Sequence, residues 1–354
     1  MPDRPRLTPA IADVRRAARD WFAAAASRPG SGLGPGAGRG AQDPDAHDRA
    51  DVLVALSGGS DSLALAAAVA FEAPRADPPA RAGAVVVDHG LQRGSGEVAA
   101  RAAEQARALG LDPVLVRRVS VGNAGGPEAA ARAARYAALE EAARETGAPS
   151  ILVAHTLDDQ AETVLLGLAR GSGPTSLAGM DAITGLYGRP LLGVRRETTR
   201  AFCADSGLLP WTDPQNSDPA YARVRVRDVV LPMLERELGP GVALALVRTA
   251  DQLREDSDAL DHFADEQAED LADHAEAGIS LDVRGLEANP AALRQRLIRL
   301  AVESEFAVTL SRSQTLEVAR LVTDWHGQGP LHLPGITVVR RGGILHFEAV
   351  AATP

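Results

Sequence analysis

From residue 51 onward, short apolar runs rich in β-branched residues alternate with stretches whose apolar positions recur every three or four residues. The runs near 52–56, 83–87, 113–119 and 150–154 read as strands buried on both faces, and the patterns near 60–71, 95–109 and 127–146 as helices. That alternation predicts an α/β fold with a doubly wound, mostly parallel sheet. Ahead of it, Thr8 and Pro9 supply an N-cap and a first helical residue for a helix through about residue 26, with Ile11, Val14, Ala18 and Phe22 on one side. Residues 28–50 hold closely spaced glycines and almost nothing to bury, and are expected to form a mobile loop. Residues 240–325 carry apolar positions at mixed three and four spacings and read as helical, with one helix over about 290–303. Short strands follow, joined by a Gly342-Gly343 hairpin turn. The expected organisation is an N-terminal helix (1–27), the loop (28–50), a catalytic domain (51–215), a connecting segment (216–239) and a helical C-terminal domain ending in strands (240–354).

Ligands of doubly wound sheets bind beyond the carboxyl ends of the strands. Three polar clusters fall at such ends. After the first strand come Ser57, Gly58, Gly59, Ser60, Asp61 and Ser62, a glycine turn running straight into a helix. Backbone N–H groups and a helix N-terminus there make an anion site, although an ordinary capped connection has the same outline. A Walker A loop is excluded, because it requires a lysine and all 37 basic residues are arginine. After the second strand come Asp88 and His89, which on turn statistics alone read as a turn residue and a surface side chain. His155 ends the fourth strand, and Thr156 can cap the next helix with Asp159 three residues on. On that helix Asp158 and Glu162 share a face, so the carboxylates serve either as dipole complements or as a magnesium site beside phosphates.

Arginines surround these clusters. Glu128, Arg132, Arg135 and Tyr136 share a side of an alanine-rich helix, either as a solvated charged face with one intrahelical ion pair or as an arginine pair aimed at phosphate. Arg223, Arg225 and Arg227 would share one face as a strand; as a helix, Arg223 and Arg227 align without Arg225. With Arg189, Arg195, Arg196 and Arg200 they form the expected basic surface for RNA.

Composition narrows the function classes. A formal charge of −10 argues against indiscriminate polyanion binding but leaves room for a local basic face. Hydrophobic residues at 45% describe a globular protein, and no apolar run reaches the length of a membrane span. Cys203 is the single cysteine, so neither an intrachain disulfide nor a cysteine-built cluster is available, which fits a reducing compartment. A cytoplasmic location is expected, without a membrane partner.

The loop Ser57–Ser62 resembles the S-G-G-x-D-S signature of the PP-loop ATP pyrophosphatases, which have the adenine nucleotide alpha hydrolase-like fold. That resemblance implies ATP held by residues 57–62, cleavage between its α- and β-phosphates, and Mg²⁺ at Asp61. The ordered blocks S-G-G-S-D-S, V-D-H-G-L, E-x-x-x-R-x-x-R-Y, A-H-T-L-D-D-Q-A-E-T with R-G-S-G from Arg170, and R-P-L-L from Arg189 are more specific. Over roughly residues 51–235 they resemble the tRNA(Ile)-lysidine synthetase family. The resemblance implies a ligase acting on a CAU-anticodon isoleucine tRNA with free L-lysine, through an adenylated wobble cytidine. It makes Asp61, Arg132, Arg135, His155 and Asp159 the catalytic candidates, and Asp88, His89, Glu162, Arg170, Arg189, Arg195, Arg223 and Arg227 the substrate or tRNA candidates. Asp213 and Asn216 match the family's D-x-x-N segment, whereas Gln92 and Val224 depart from its pattern. Rival expectations are a 2-thiocytidine synthetase, which would carry paired cysteines, an amidotransferase, which would need a glutaminase nucleophile, and a nucleotide- or RNA-binding protein without turnover. A homodimer is compatible with the sequence.

Overall fold

The computed structural model describes residues 7–28, 49–90, 94–120, 122, 126–171, 173–213, 218–275 and 278–350. Residues 29–48 of the expected loop over 28–50 and the positions Gln92 and Asn216 lie outside the described residues. The chain divides into two compact units, 1–250 and 251–354.

In the first unit the order is α1 (Pro9–Ala26), β1 (Val52–Ala55), α2 (Ser60–Glu72), β2 (Ala82–Asp88), α3 (Ser95–Ala108), β3 (Val114–Arg118), α4 (Pro127–Thr146), β4 (Ser150–Leu152), α5 (Leu157–Ala169) and α6 (Pro174–Leu177). There follow β5 (Ile183–Thr184), β6 (Tyr187–Gly188), α7 (Arg196–Asp205), α8 (Ala222–Arg225), α9 (Leu231–Glu237) and α10 (Val242–Leu271), a helix that carries the division between the units. The sheet runs β3-β2-β1-β4-β6-β5. Its pairs are parallel except for β5 with β6. Strand order therefore reverses between β1 and β4, which opens a crevice at their carboxyl ends.

The core explains why this order holds. Val52, Val54, Leu63, Leu65, Ala84 and Val86 pack on one side of the sheet, and Leu53, Val85, Leu139 and Ile151 on the other. A strand buried on both faces must be a continuous apolar run, as these are. The N-cap at Thr8 accepts from the Ile11 N–H at 3.3 Å. The α1 face adds Trp21 to Ile11, Val14, Ala18 and Phe22, all buried against α2 and α7. Each large side chain removed from water there contributes roughly 1.5–3 kcal/mol. Arg15 and Arg19 fix the register of that packing, because both meet the buried Glu72 carboxylate at 3.0 Å.

The second unit contains β7 (Ala272–Ala275), β8 (Gly278–Asp282), α11 (Val283–Ala288), α12 (Ala291–Phe306), α13 (Arg312–Thr323), β9 (Leu331–Leu333), β10 (Ile336–Arg341) and β11 (Ile344–Ala349). Its sheet, β7-β8-β11-β10-β9, is antiparallel throughout. The stretch expected to be helical from 240 to 325 is thus interrupted by two strands. Ile279 and Leu281 alternate inward from β8 and belong to the core that holds Leu345 and Phe347.

Candidate active site

A cavity of about 410 Å³ lies at the carboxyl ends of β1, β2 and β4, lined among others by Ser57, Gly59, Asp61, Ser62, Asp88, His89, Arg135, His155, Asp159, Arg196 and Arg227. The three polar clusters expected at strand ends converge on it.

The Ser57–Ser62 turn is held from within. Ser62 Oγ donates to the Gly59 carbonyl at 3.0 Å, lies 3.0 Å from Ser57 Oγ and receives the Ser57 N–H at 3.2 Å. Gly58 has φ +83°, which a residue with a Cβ rarely adopts, and its carbonyl accepts the Trp211 N–H at 2.9 Å. Gly59 is the N-cap of α2 and makes no side-chain cap, so the first amides of that helix remain available to an anion.

Asp61 stands in the first turn of α2. Thr199 donates a hydrogen bond to its Oδ1, and Arg196 Nε is 3.6 Å from Oδ2. Burial pushes Asp61 above the usual carboxylate range; the Thr199 hydroxyl and the Arg196 charge draw it back, while Asp159 adds to the rise. A divalent cation would supply the charge this carboxylate lacks. Among the described residues no group of three or more His, Cys, Asp or Glu forms a metal cage. Magnesium fits such a site nonetheless, because it commonly binds through one or two carboxylates plus ligand phosphates.

Opposite the loop, Thr156 and Asp159 form a capping box. The Thr156 N–H and hydroxyl both donate to Asp159 Oδ2, at 2.8 and 2.7 Å. Arg196 donates to Asp159 Oδ1 at 2.8 Å and to Glu162 Oε1 at 3.1 Å. Arg227 reaches both Glu162 oxygens, at 2.8 and 3.0 Å. Burial opposes the Asp159 charge, but Arg196 and the Thr156 donors outweigh it and hold the carboxyl below its usual range. Glu162 is 0% exposed, so its oxygens meet arginines rather than solvent.

The 222–230 segment is helical, an α-turn continued by a π-helical stretch at 226–230, which settles the strand-or-helix alternative. Arg223 and Arg227 accordingly share a face toward α5, where Arg223 also donates to Thr163 Oγ1 at 2.8 Å. Arg225 turns back onto the Pro219 and Ala220 carbonyls. Arg195 pairs with Asp158 at 3.0 Å. Four arginines of the expected RNA surface, Arg195, Arg196, Arg223 and Arg227, are therefore already matched by carboxylates.

Arg132 and Arg135 on α4 differ. No described carboxylate pairs with either; Arg132 donates only to the Tyr136 hydroxyl, at 3.1 Å, and both guanidinium groups lie near that ring. Burial lowers the Arg135 pKa, and the Arg132 charge adds to the effect. Arg189 donates to the Asp181 carbonyl and Thr184 Oγ1, at 2.8 and 3.1 Å. Arg170, exposed at the far end of α5, is not part of the cavity wall.

His155 sits between these groups. Burial drives its pKa down to about 4, with Arg189, Arg223 and Arg132 adding and Asp159 opposing, so it is neutral near pH 7. Its Nδ1 is buried without a hydrogen-bond partner. His89 is also pushed down, by burial and then Arg135. Asp88 accepts the Gly90 N–H at 2.9 Å; burial opposes its charge, but hydrogen bonds from Ser95 and Gly90 keep its pKa below the ordinary value.

Thr199, Trp211 and Tyr187 were not among the expected site residues, and Arg196 was expected on a basic RNA surface beside the site rather than in the cavity wall. The one available signal was position: Arg196 opens a helix directly after the R-P-L-L block.

A nucleotide-sized crevice at a sheet's switch point, entered by a glycine turn and a free helix N-terminus, defines a PP-loop ATP-binding protein. The family model described as a PP-loop domain matches residues 40–234, and that of a TilS substrate binding domain matches 281–346. The chain belongs to the tRNA(Ile)-lysidine synthase family. A tRNA(Ile)-lysidine synthase of Leifsonia xyli subsp. xyli is 69% identical over 84% of this chain and 89% of its own length. One from Streptomyces coelicolor is 53% identical over 82% and 83%, and one from Rhodococcus erythropolis 46% identical over 96% and 97%. Among solved structures, the U34-tRNA thiolase NcsA from Methanococcus maripaludis with its [4Fe-4S] cluster shares the fold, with TM-score 0.51 and 19% identity over 70% of this chain and 80% of that one. A cluster of that kind is held by several cysteine thiolates, whereas here Cys203 stands alone and buried, with burial raising its thiol to about 12.

Proposed function

We propose that this chain joins free lysine to C2 of the wobble cytidine of a CAU-anticodon isoleucine tRNA in two steps. The cytidine O2 attacks the α-phosphate of ATP and pyrophosphate leaves; the amino group of lysine then attacks C2 and AMP leaves. AUG decoding becomes AUA decoding. The observation that carries this reading is the convergence of the anion-binding loop, Arg135, a neutral histidine and a carboxylate–arginine cage on one cavity, with Arg132 against the Tyr136 ring that lines it.

The amides of residues 57–62 and the N-terminus of α2 receive the pyrophosphate end of ATP. Asp61 would hold Mg²⁺, whose charge would neutralise the leaving pyrophosphate. Among the described residues no carboxylate pairs with Arg132 or Arg135, so they meet the adenylated intermediate at little cost in broken ion pairs. Neutral His155 can accept a hydrogen bond from the incoming amino group, and Asp159 fixes the cations beside it. Asp88 and His89 line the nucleotide end, whereas Arg170, Arg189, Arg195, Arg223 and Arg227 are the tRNA-side candidates. The catalytic part is residues 51–215, and the cytoplasm is its place of work.

The test is incorporation of radiolabelled lysine into unmodified CAU-anticodon tRNA with ATP and Mg²⁺, comparing wild type with Asp61→Ala. Label dependent on ATP and on Asp61 is expected. ATP cleavage to AMP and pyrophosphate without label would require a different nucleophile.

A further inference from the structure

Tyr136 has no role in the chemistry above, yet its ring lines the cavity. The chain holds 3 tyrosines and 3 tryptophans, and of these only Tyr136 and Trp211 face that space. Trp211 belongs to the loop side, since its N–H is bonded to the Gly58 carbonyl. Tyr136 belongs to the arginine side. Tyr187 packs edge-on against it, with centroids 4.8 Å apart and planes at 60°, and Tyr187 is itself tied down by a 3.0 Å hydrogen bond to Glu140. Arg132 lies 4.7 Å and Arg135 5.6 Å from the Tyr136 centroid.

A half-buried, braced aromatic ring flanked by guanidinium groups that meet no carboxylate among the described residues is a combination that binds single-stranded nucleic acid: rings stack bases, and guanidinium groups take the adjoining phosphates. An anticodon loop offers unstacked bases for such a site. We propose that Tyr136, braced by Tyr187, is the platform on which a nucleobase next to the target cytidine stacks, with Arg132 taking an adjoining phosphodiester. The base is the adenine of the CAU anticodon, its one purine and so its strongest stacking partner. This rests on the tRNA reading above and deepens it. The same ring chemistry would also receive the adenine of ATP. The RNA is favoured because Arg132, the cation bonded to the tyrosine hydroxyl, is exposed and forms no part of the cavity wall.

The experiment uses the full chain and an anticodon stem-loop with 2-aminopurine replacing that adenine. Binding to wild type should change the 2-aminopurine fluorescence, and Tyr136→Leu should abolish the change. The same variant should raise KM for tRNA about tenfold or more, with KM for ATP unmoved, as expected for loss of one stacked base. Tyr136→Phe should recover most of that loss, because the ring rather than the hydroxyl carries the contact. A raised KM for ATP with that for tRNA unchanged would assign the ring to the nucleotide and overturn the proposal. Phe behaving as badly as Leu, or Leu behaving as wild type, would overturn it as well. Lysine incorporation by the wild type is scored in parallel. Its absence would defeat the tRNA-lysidine reading, whereas its presence alongside an unaffected Tyr136→Leu would defeat only the stacking role.

Discussion

Two groups of arginines surround one cavity in opposite electrostatic states, with Arg135, Arg196 and Arg227 on its wall and Arg132 and Arg223 outside it. Arg196, Arg223 and Arg227 close on the buried Glu162, with Arg196 and Arg227 shared by Asp159. Arg132 and Arg135, on α4, meet a tyrosine and, among the described residues, no carboxylate. The first group is a closed ion network, and charge removed from it leaves a partner stranded in low dielectric. In the second, burial works against the Arg135 charge with no described carboxylate beside it, and an arriving anion relieves that cost. The network thus shapes the site, and the α4 pair meets substrate.

The largest effect that would break this contrast is on stability. Glu162→Ala should destabilise the first unit by about 3 kcal/mol or more, since three arginines lose a buried counter-charge. Denaturant unfolding measures it, and a loss below about 0.5 kcal/mol, the range of ordinary surface changes, would dissolve the distinction between the groups.

A second effect concerns pH. His155 has its folded pKa near 4 against an ordinary 6.5, so between those values the unfolded chain binds the extra proton. Stability therefore rises with pH across about 4 to 6.5 and is flat above for this group. His155→Asn should remove that part of the slope in unfolding curves taken from pH 4 upward; an unchanged slope would mean that His155 is not held neutral.

The smallest effect is on salt dependence. If Arg132 meets an RNA phosphate, Arg132→Ala should reduce the log–log salt slope of tRNA binding by about 1. An Arg132→Ala slope equal to that of wild type would place Arg132 off the RNA path.

Local signals made much of this legible. Apolar runs announced β1 to β4, Thr8-Pro9 announced α1, and Thr156 with Asp159 announced the cap of α5, because each is fixed by residues a few positions apart. The turn at 57–62 was readable for the same reason. Unreadable were the pairings closed by folding: Thr199 on Asp61, Arg196 and Arg227 on Glu162, and Tyr187 against Tyr136. No short pattern encodes them, so Arg196 read as part of a basic RNA surface beside the site rather than as a partner of Glu162. The strands β7 and β8 escaped because they are short and stand between helical patterns, and besides β7 the partner of β8 is β11, far along the chain.

The most direct measurement pairs lysine incorporation with unfolding for wild type and Arg135→Ala. Wild type should transfer labelled lysine to CAU-anticodon tRNA in the presence of ATP. Arg135→Ala should lose at least a hundredfold in rate, an order-of-magnitude figure for one preorganised charge at a reacting centre, with its unfolding midpoint unchanged. Wild-type transfer by folded Arg135→Ala would contradict the account.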